Sequence, residues 1–488
     1  MGAATGAPAA VPDAAPDVGA DLRARMRALS PAKRALLAAQ LAERGLLHYL
    51  DSGPERAAGD PDAVTVKQEA LWRLHAGGDD GDFYHAGIVF RFGPRTDPRA
   101  LAAAVSRAAE RHEVLRSAYL ADASAGGSVR VRVLDAGELP VRHLSLEAAD
   151  EDGALRRAVE SALADGRERF CLDRPPVRCR VIDARPSAVL LSVVAHDIAC
   201  DRYGLRTVLL PELCSELGGG AAEEPGAVGP EDRQDGGPEQ LRLRDVAEWQ
   251  RESARSGLIA EQARRRARVL RAETVLAMPD HGDRAGERIV LRIGEQVGPG
   301  LARVARAAGT TLFAVVLAAW GSVVARFHDR DEVAVGCCTS GRHRPELAGV
   351  LGNLANTLVV PVPAAAGRSS AELVAVTRDR LVEALGDGDA PFETVFGALT
   401  GRAGVQDQDI RVRLTLDEDD GQALPPGCTG VADLDFGHAK SSLSLELTTE
   451  DAGVRGSLAY RPADVPQQRA RELADLVERR LTELASGT

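Results

Sequence analysis

The 488-residue chain lacks several features, and each absence narrows what the protein can be. No apolar stretch reaches the roughly 18 residues that a membrane-crossing helix needs. Residues 1–17 have neither the basic start nor the apolar core of a signal peptide. The seven cysteines include no CxxC pair, which argues against both a disulfide framework and a zinc site. We therefore expect a cytoplasmic protein with reduced thiols, no bound metal and no membrane contact.

Basic charge is also in short supply. Lysine and arginine number 60 against 72 aspartates and glutamates, which gives a net charge of −12. Nucleic-acid binding needs a concentrated basic face, so nucleic acid is not an expected partner.

A chain of 488 residues is longer than a single hydrophobic core usually supports. Two domains or a pseudo-symmetric pair of domains are therefore expected.

What is present is a mixed pattern of helices and strands, typical of an α/β protein. We predict a disordered lead-in at 1–20, a helical segment and linker at 21–62, and two lobes at 63–240 and 241–488. A Gly/Pro-rich stretch at 215–240 should connect the lobes. A long helix is predicted around 241–272, and Pro211 should kink or end an earlier helix.

One stretch combines a buried strand with polar residues. Residues 188–194 are apolar on both alternations, which predicts a strand covered on both faces. His196 and Asp197 follow at its C-terminal end, where ligands collect in layered α/β structures. The alternative is that these polar residues only cap the following helix.

Five short motifs along the chain resemble, in order and spacing, those of the condensation domains of nonribosomal peptide synthetases. They are Gln68-Glu69-Ala70-Leu71-Trp72-Arg73-Leu74, Arg111-His112-Glu113-Val114-Leu115-Arg116-Ser117, Arg244-Asp245-Val246-Ala247-Glu248-Trp249, Leu351-Gly352-Asn353-Leu354-Ala355-Asn356-Thr357-Leu358 and Gly388-Asp389-Ala390-Pro391-Phe392-Glu393. The resemblance covers nearly the whole chain from about residue 64. A seventh motif, expected near 406–416, is eroded.

The resemblance implies two chloramphenicol-acetyltransferase-like lobes in a V-shaped pseudo-dimer, with a tunnel at their junction. It implies an acyltransferase of natural-product biosynthesis that joins an acyl thioester to an amine or hydroxyl acceptor. The donor would arrive on the phosphopantetheine arm of a carrier protein, and no bound cofactor or metal is implied. The chain has no adenylation or carrier signature, so we expect a free-standing monomer that meets its carrier in trans.

The third family motif is altered in this chain. The family pattern has two histidines, three variable residues, an aspartate and a glycine. Here His196 is followed by Asp197 in place of the second histidine, Asp201 is kept, and Arg202 replaces the glycine. An ordinary aspartate is a far weaker base at neutral pH than a histidine.

Three interpretations of this motif stay open. In the first, Asp197 acts as base or anchor for an unusual acceptor, and Arg202 binds an anionic group of that acceptor. In the second, the site is inert and the domain recruits a tailoring enzyme or a carrier protein. In the third, the aspartate supports a different reaction such as cyclisation, although His196 remains and Asp197 and Asp201 lie four residues apart instead of five.

The resemblance also assigns roles around the motif. Asp197 and His196 are the candidate catalytic residues, although we expect His196 to be chiefly structural. Asp201 is expected to pair with Arg116 as the structural salt bridge. The remaining candidates are tunnel-lining or packing residues on the acceptor side and residues of the segment that bridges the lobes, namely Arg202, Tyr203, Ser117, Gly352 and Asn356.

Overall fold

The computed structural model describes residues 22–487, apart from several internal positions. These are 23, 24, 27, 45, 47–49, 52, 57–59, 61, 79–80, 123–127, 136, 138, 149, 219–239, 271–283, 402–409, 419–423 and 451–452. The predicted lead-in at 1–20 and most of the predicted connection at 215–240 lie outside the described residues.

The first half alternates helices and strands, as the sequence pattern predicts. Its elements are α1 (Pro31–Glu43), α2 (Val66–Ala76), β1 (His85–Phe92), α3 (Pro98–Arg111), β2 (Ser117–Ala121), β3 (Val129–Val133), β4 (Val141–Ser145), α4 (Glu151–Arg167), β5 (Val177–Ala184), β6 (Ala188–His196), a π-helical stretch (Gly204–Leu209) and α5 (Leu210–Glu216).

The second half has the same mixture. Its elements are α6 (Leu243–Ser256), α7 (Leu258–Val269), β7 (Glu287–Val290), α8 (Val297–Ala307), α9 (Leu312–Phe327), β8 (Glu332–Thr339), β9 (Asn356–Pro363), α10 (Ser370–Gly386), α11 (Phe392–Thr400), β10 (Val412–Glu418), β11 (Cys428–Asp433), β12 (Leu443–Glu450), β13 (Gly453–Tyr460) and α12 (Gln467–Ser486).

β6 is the central strand of a five-stranded sheet with the order β11-β1-β6-β5-β4. All nine of its residues are buried, so the predicted strand at 188–194 is confirmed. Alternate side chains enter two different cores, with Leu191 and Val193 on one face and Leu190 and Val194 on the other. Both faces are therefore covered, and His196 lies at the C-terminal end of this central strand.

The second sheet is built from second-half strands in the order β7-β13-β12-β10-β8-β9. Its core contains the fully buried Trp320 of α9 together with residues of α12. One second-half strand leaves this lobe, because β11 pairs with β1 in the first sheet. A division of the chain at residue 240 therefore does not separate the two sheets.

Two predictions about helices can be compared with the structure. The helix predicted around 241–272 is interrupted at Gly257, whose φ of 88° lies in the left-handed region that ends helices. At Pro211, where a kink or an end was predicted, the helical run changes type from the π-helical stretch to α5 and continues to Glu216. The turn before it widens into the π-helical stretch, which accommodates the missing backbone N–H of proline.

Among the described residues, no single helix is long and apolar enough to cross a membrane. Helices α8 and α9 are long and apolar enough only when they are taken together, and they are bent by 105° relative to each other. The apolar character of α9 has another explanation here, because the helix lies in the core of the second lobe.

Candidate functional site

His196, the last residue of β6, is fully buried. Its Nδ1 accepts a hydrogen bond from the backbone N–H of Ile198 at 3.0 Å, which ties the ring to the turn that follows the strand. The ring lies between two other imidazoles, with centroids 5.8 Å from His75 and 5.7 Å from His85. A neutral ring with this bond carries its hydrogen on Nε2.

The backbone N–H and the backbone carbonyl of Asp197 both form hydrogen bonds. Its N–H donates to the carbonyl of Tyr84, and its carbonyl accepts from Nδ2 of Asn353, each at 2.6 Å. The carboxylate Oδ2 lies 2.9 Å from Nζ of Lys440, and the two side chains are 18% and 38% exposed. The position of the family's second histidine is thus occupied by a partly exposed ion pair.

Lys440 has no counterpart among the residues singled out from the sequence. Its ammonium lies 5.5 and 5.4 Å from the ring centroids of Phe83 and Tyr84, which is within the range of cation–π attraction. It lies 243 residues from Asp197 in the chain. A local pattern contains no signal for such a pairing.

Asp201 pairs with Arg342, so the predicted pairing with Arg116 is wrong. Arg342 Nη1 lies 2.8 Å from Oδ2 of Asp201, and the side chains are 1% and 7% exposed. The backbone N–H groups of Gly204 and Leu354 also donate to this carboxylate, at 2.6 and 2.9 Å.

Arg116 is engaged elsewhere. Its Nε donates to the carbonyl of Ala109 at 2.9 Å, and Nη1 donates to the carbonyl of Leu134. Ala109 lies in the last turn of α3, where carbonyls lack intrahelical partners. The guanidinium therefore satisfies local backbone groups instead of the motif aspartate.

Arg202 does not contact Asp197 through any ion pair of the described residues. It pairs with Asp417 of β10 at 2.6 Å and with Asp433 of β11 at 2.9 Å, and so joins the two sheets. The guanidinium carbon of Arg342 lies over the ring of Tyr203, 4.5 Å from the ring centroid. Ser117 Oγ donates to the carbonyl of Glu113 at 2.7 Å.

Gly352 and Asn356 belong to a segment that contacts both halves. The carbonyl of Gly352 accepts from Arg342 at 3.0 Å, and a Cβ at this glycine would come within 2.8 Å of Leu243. Asn356 Nδ2 donates to the carbonyls of Gly388 and Ala390, both at 3.0 Å. This segment therefore links the third motif to the motif Gly388-Asp389-Ala390-Pro391-Phe392-Glu393.

A cavity of about 410 Å³ opens beside the ion pair, between the first sheet and the second. Its lining includes Phe83, His85, Arg202, Arg413, Phe436 and Lys440. Ser117 lines a separate cavity of about 220 Å³, next to the second motif. Arg202 and Ser117, both expected on the acceptor side, thus face different spaces.

His85 is a further ionisable group that lines the larger cavity and was missed from the sequence. Burial lowers its pKa to about 4, against the opposing effect of a hydrogen bond to the carbonyl of Gly166. No cluster of three or more histidine, cysteine, aspartate or glutamate side chains that could hold a metal ion occurs in the described ranges.

A family model for the condensation domain matches residues 62–410. Phosphinothricin tripeptide synthetase PhsC of Streptomyces viridochromogenes is 26% identical over 89% of this chain. The chain spans 40% of that synthetase and smaller shares of other curated synthetases that it matches. The similarity is thus to one part of these larger proteins.

Solved structures show the same fold. The X-domain from teicoplanin biosynthesis matches with a TM-score of 0.71 at 23% identity, over 89% of this chain and 97% of that one. The first condensation domain of the calcium-dependent antibiotic synthetase, solved with substrate analogue 2a, matches with a TM-score of 0.66 at 19% identity, over 88% and 97% of the two chains. These matches confirm the predicted pair of chloramphenicol-acetyltransferase-like lobes. The chain belongs to the condensation domain family.

Proposed function

We propose that the chain is a condensation enzyme of nonribosomal peptide or related natural-product biosynthesis. It joins an acyl group, carried as a thioester on the phosphopantetheine arm of a carrier protein, to an amine or hydroxyl acceptor. The supporting observation is the setting of Asp197. Its carboxylate pairs with Lys440, a partly exposed side chain that lines the 410 Å³ cavity, while Arg202 pairs with Asp417 and Asp433 instead.

Asp197 acts in this proposal as a fixed anion and not as the main base. A partly exposed ion pair contributes at most about 1 kcal/mol, so the ammonium or N–H group of an acceptor displaces Lys440 at little cost. The carboxylate then holds the acceptor nitrogen beside the thioester. An acceptor bound as an ammonium first releases one proton to solvent. The neutral nitrogen then attacks the thioester carbonyl carbon, the C–S bond breaks, and the proton that the nitrogen loses on forming the amide ends on the released thiol.

The test follows product formation by mass spectrometry, with an acyl-loaded carrier protein and a panel of amines and alcohols. We expect Asp197→Asn to lower the rate at least tenfold, because the neutral amide no longer attracts the acceptor's positive charge. Asp183→Asn is the matched control, since Asp183 pairs with Arg185 at the opposite end of the first sheet. A rate within twofold of wild type for Asp197→Asn would contradict the role of the carboxylate.

The second candidate is a module that recruits another enzyme or a carrier protein without catalysis. It is favoured by the replacement of a histidine by a carboxylate that Lys440 already neutralises. Under this alternative no acceptor in the panel gives product, while the wild-type protein still retains the acyl-loaded carrier on an affinity column.

A further inference from the structure

His85 lies directly opposite His196 in the β1–β6 ladder. It is only 4% exposed, and it lines the same cavity as Lys440. The rings of Phe170 and Phe436 flank it, with centroids 4.7 and 6.3 Å away. A second imidazole therefore stands next to His196, although it comes from a different strand than the third motif.

The orientation of this ring is determined by Gly166. Nδ1 of His85 lies 2.5 Å from the carbonyl oxygen of Gly166. A carbonyl only accepts hydrogen bonds, so Nδ1 carries the hydrogen and Nε2 of the neutral ring has the lone pair. Gly166 lies in the last turn of α4, whose carbonyls lack helical partners, and a Cβ at this position would collide with Phe436.

Nε2 of His85 is buried and has no hydrogen-bond partner among the described protein atoms. An unsatisfied buried polar atom is unfavourable, and His85 lines the cavity, so the free lone pair of Nε2 points to a donor supplied by a ligand. Burial lowers the pKa of this histidine to about 4, the bond to Gly166 and the charges of Asp197 and Asp82 oppose that effect, and His196 adds to it. The ring is therefore neutral at pH 7 and able to accept.

We propose that His85 is a catalytic residue whose Nε2 accepts a hydrogen bond from the N–H or O–H group of the acceptor's nucleophile, in the cavity that His85 and Lys440 line, and so directs the nucleophile's lone pair at the thioester carbon. This inference rests on the proposed condensation. As the nucleophile bonds to the thioester carbonyl carbon and the C–S bond breaks, Nε2 keeps hold of the N–H or O–H group through this hydrogen bond, and the nucleophile's proton ends on the departing thiolate. Thioester and amine give amide and thiol, and no further reactant is needed.

The experiment compares His85→Asn with His75→Asn in the carrier-protein assay. Asparagine retains a donor for the Gly166 carbonyl, and His75 is the matched control because its ring also lies beside His196 but does not line the cavity. We expect His85→Asn to lower kcat by about 10-fold or more with little change in KM, because the nucleophile loses the hydrogen-bond acceptor that orients it. His75→Asn should stay within threefold of wild type.

An independent measurement uses ¹⁵N-histidine NMR of the wild-type protein, with the His85 signal identified by its loss in His85→Asn. The acceptor that gives product is titrated in, or ethanolamine if none does. We expect the Nδ1–H tautomer of His85 and a shift of its Nε2 signal, while His75 does not move.

The outcomes separate the two proposals. If the wild type turns over and His85→Asn retains its kcat, the role of His85 is overturned while condensation stands. If no acceptor turns over, the proposed function fails, and the role of His85 as a ligand contact is then decided by the NMR titration alone. An unmoved Nε2 signal, as expected if a buried water satisfies this atom, overturns it.

Discussion

The charged residues of the third motif differ in burial, and this difference determines what each contributes. Asp201 and Arg342 are almost completely buried, whereas Arg202 and its partners are 38–44% exposed. Exposed pairs are worth about 1 kcal/mol or less. Removal of one partner from a buried pair costs about 3–5 kcal/mol, because the other charge is left unpaired. Asp201 is therefore a structural residue, and Arg342 is the partner that matters.

A double-mutant cycle tests this pairing through the free energy of unfolding in urea. We expect Asp201→Asn and Arg342→Met to show a coupling energy of at least about 1.5 kcal/mol, because each removes the same buried contact. Asp201→Asn and Arg116→Met should be additive to within about 0.5 kcal/mol. Coupling with Arg116 instead of Arg342 would contradict the structure.

His85 should make the protein sensitive to mild acid. Burial, opposed by the Gly166 hydrogen bond, lowers its folded-state pKa from 6.5 to about 4. The unfolded chain then binds a proton at a higher pH than the folded chain does. The stabilisation is complete above pH 6.5 and is lost as the pH falls through about 4, by up to about 3 kcal/mol.

The check compares urea unfolding at pH 7 and pH 4.5. His85→Asn should lose less stability over this interval than the wild type, since its side chain does not titrate. His143→Asn, at an exposed position of β4, should lose as much as the wild type. An equal loss in His85→Asn and wild type would show that His85 does not stay neutral.

At the scale of elements, close contact between α9 and β9 depends on a residue without a side chain. Gly321 lies on α9, and a Cβ built there would collide with the side chain of Val362 on β9. The Cβ of Val362 is part of that collision, so a rotamer change cannot relieve it. The helix can approach the sheet this closely only with glycine at this position.

We expect Gly321→Ala to lower the free energy of unfolding by about 1–3 kcal/mol, because overpacking outweighs the helix propensity that alanine gains. Gly386→Ala is the control. Gly386 ends α10, and a Cβ there would meet nothing within 4 Å. Urea denaturation of both variants checks the difference, and a neutral Gly321→Ala would show that the two elements can separate freely.

At the scale of the whole molecule, the lobes share a sheet. β11 follows the second-lobe strand β10 in the chain but pairs with β1 through five register positions in the first sheet. Arg202 adds ion pairs between β10 and β11. Unfolding of the second lobe therefore removes an edge strand from the first.

This arrangement predicts one cooperative unfolding transition. In a Trp72→Phe, Trp249→Phe variant, the remaining Trp320 reports on the second-lobe core, whereas far-UV circular dichroism reports on both lobes. Because both signals come from the same variant, the effect of the substitutions on stability does not enter the comparison. We expect the two urea transitions to coincide, and two separated midpoints would show that the lobes unfold independently.

Local patterns were sufficient for much of this protein. The buried strand at 188–194 and each of the five family motifs depend only on residues near one another in sequence. Hydrophobic period and motif spacing are local properties, so the buried strand and the resemblance to the family could be recognised, and the two-lobe fold was predicted as what that resemblance implies. The altered residues Asp197 and Arg202 were equally visible.

Tertiary structure alone decided which groups surround those residues. Lys440 beside Asp197, Arg342 beside Asp201 and the pairing of β11 with β1 join residues more than 140 positions apart. The partner of a charged side chain depends on which of many similar groups the packed chain brings within a few ångströms. That distance is a property of the assembled lobes, and no short stretch of sequence encodes it.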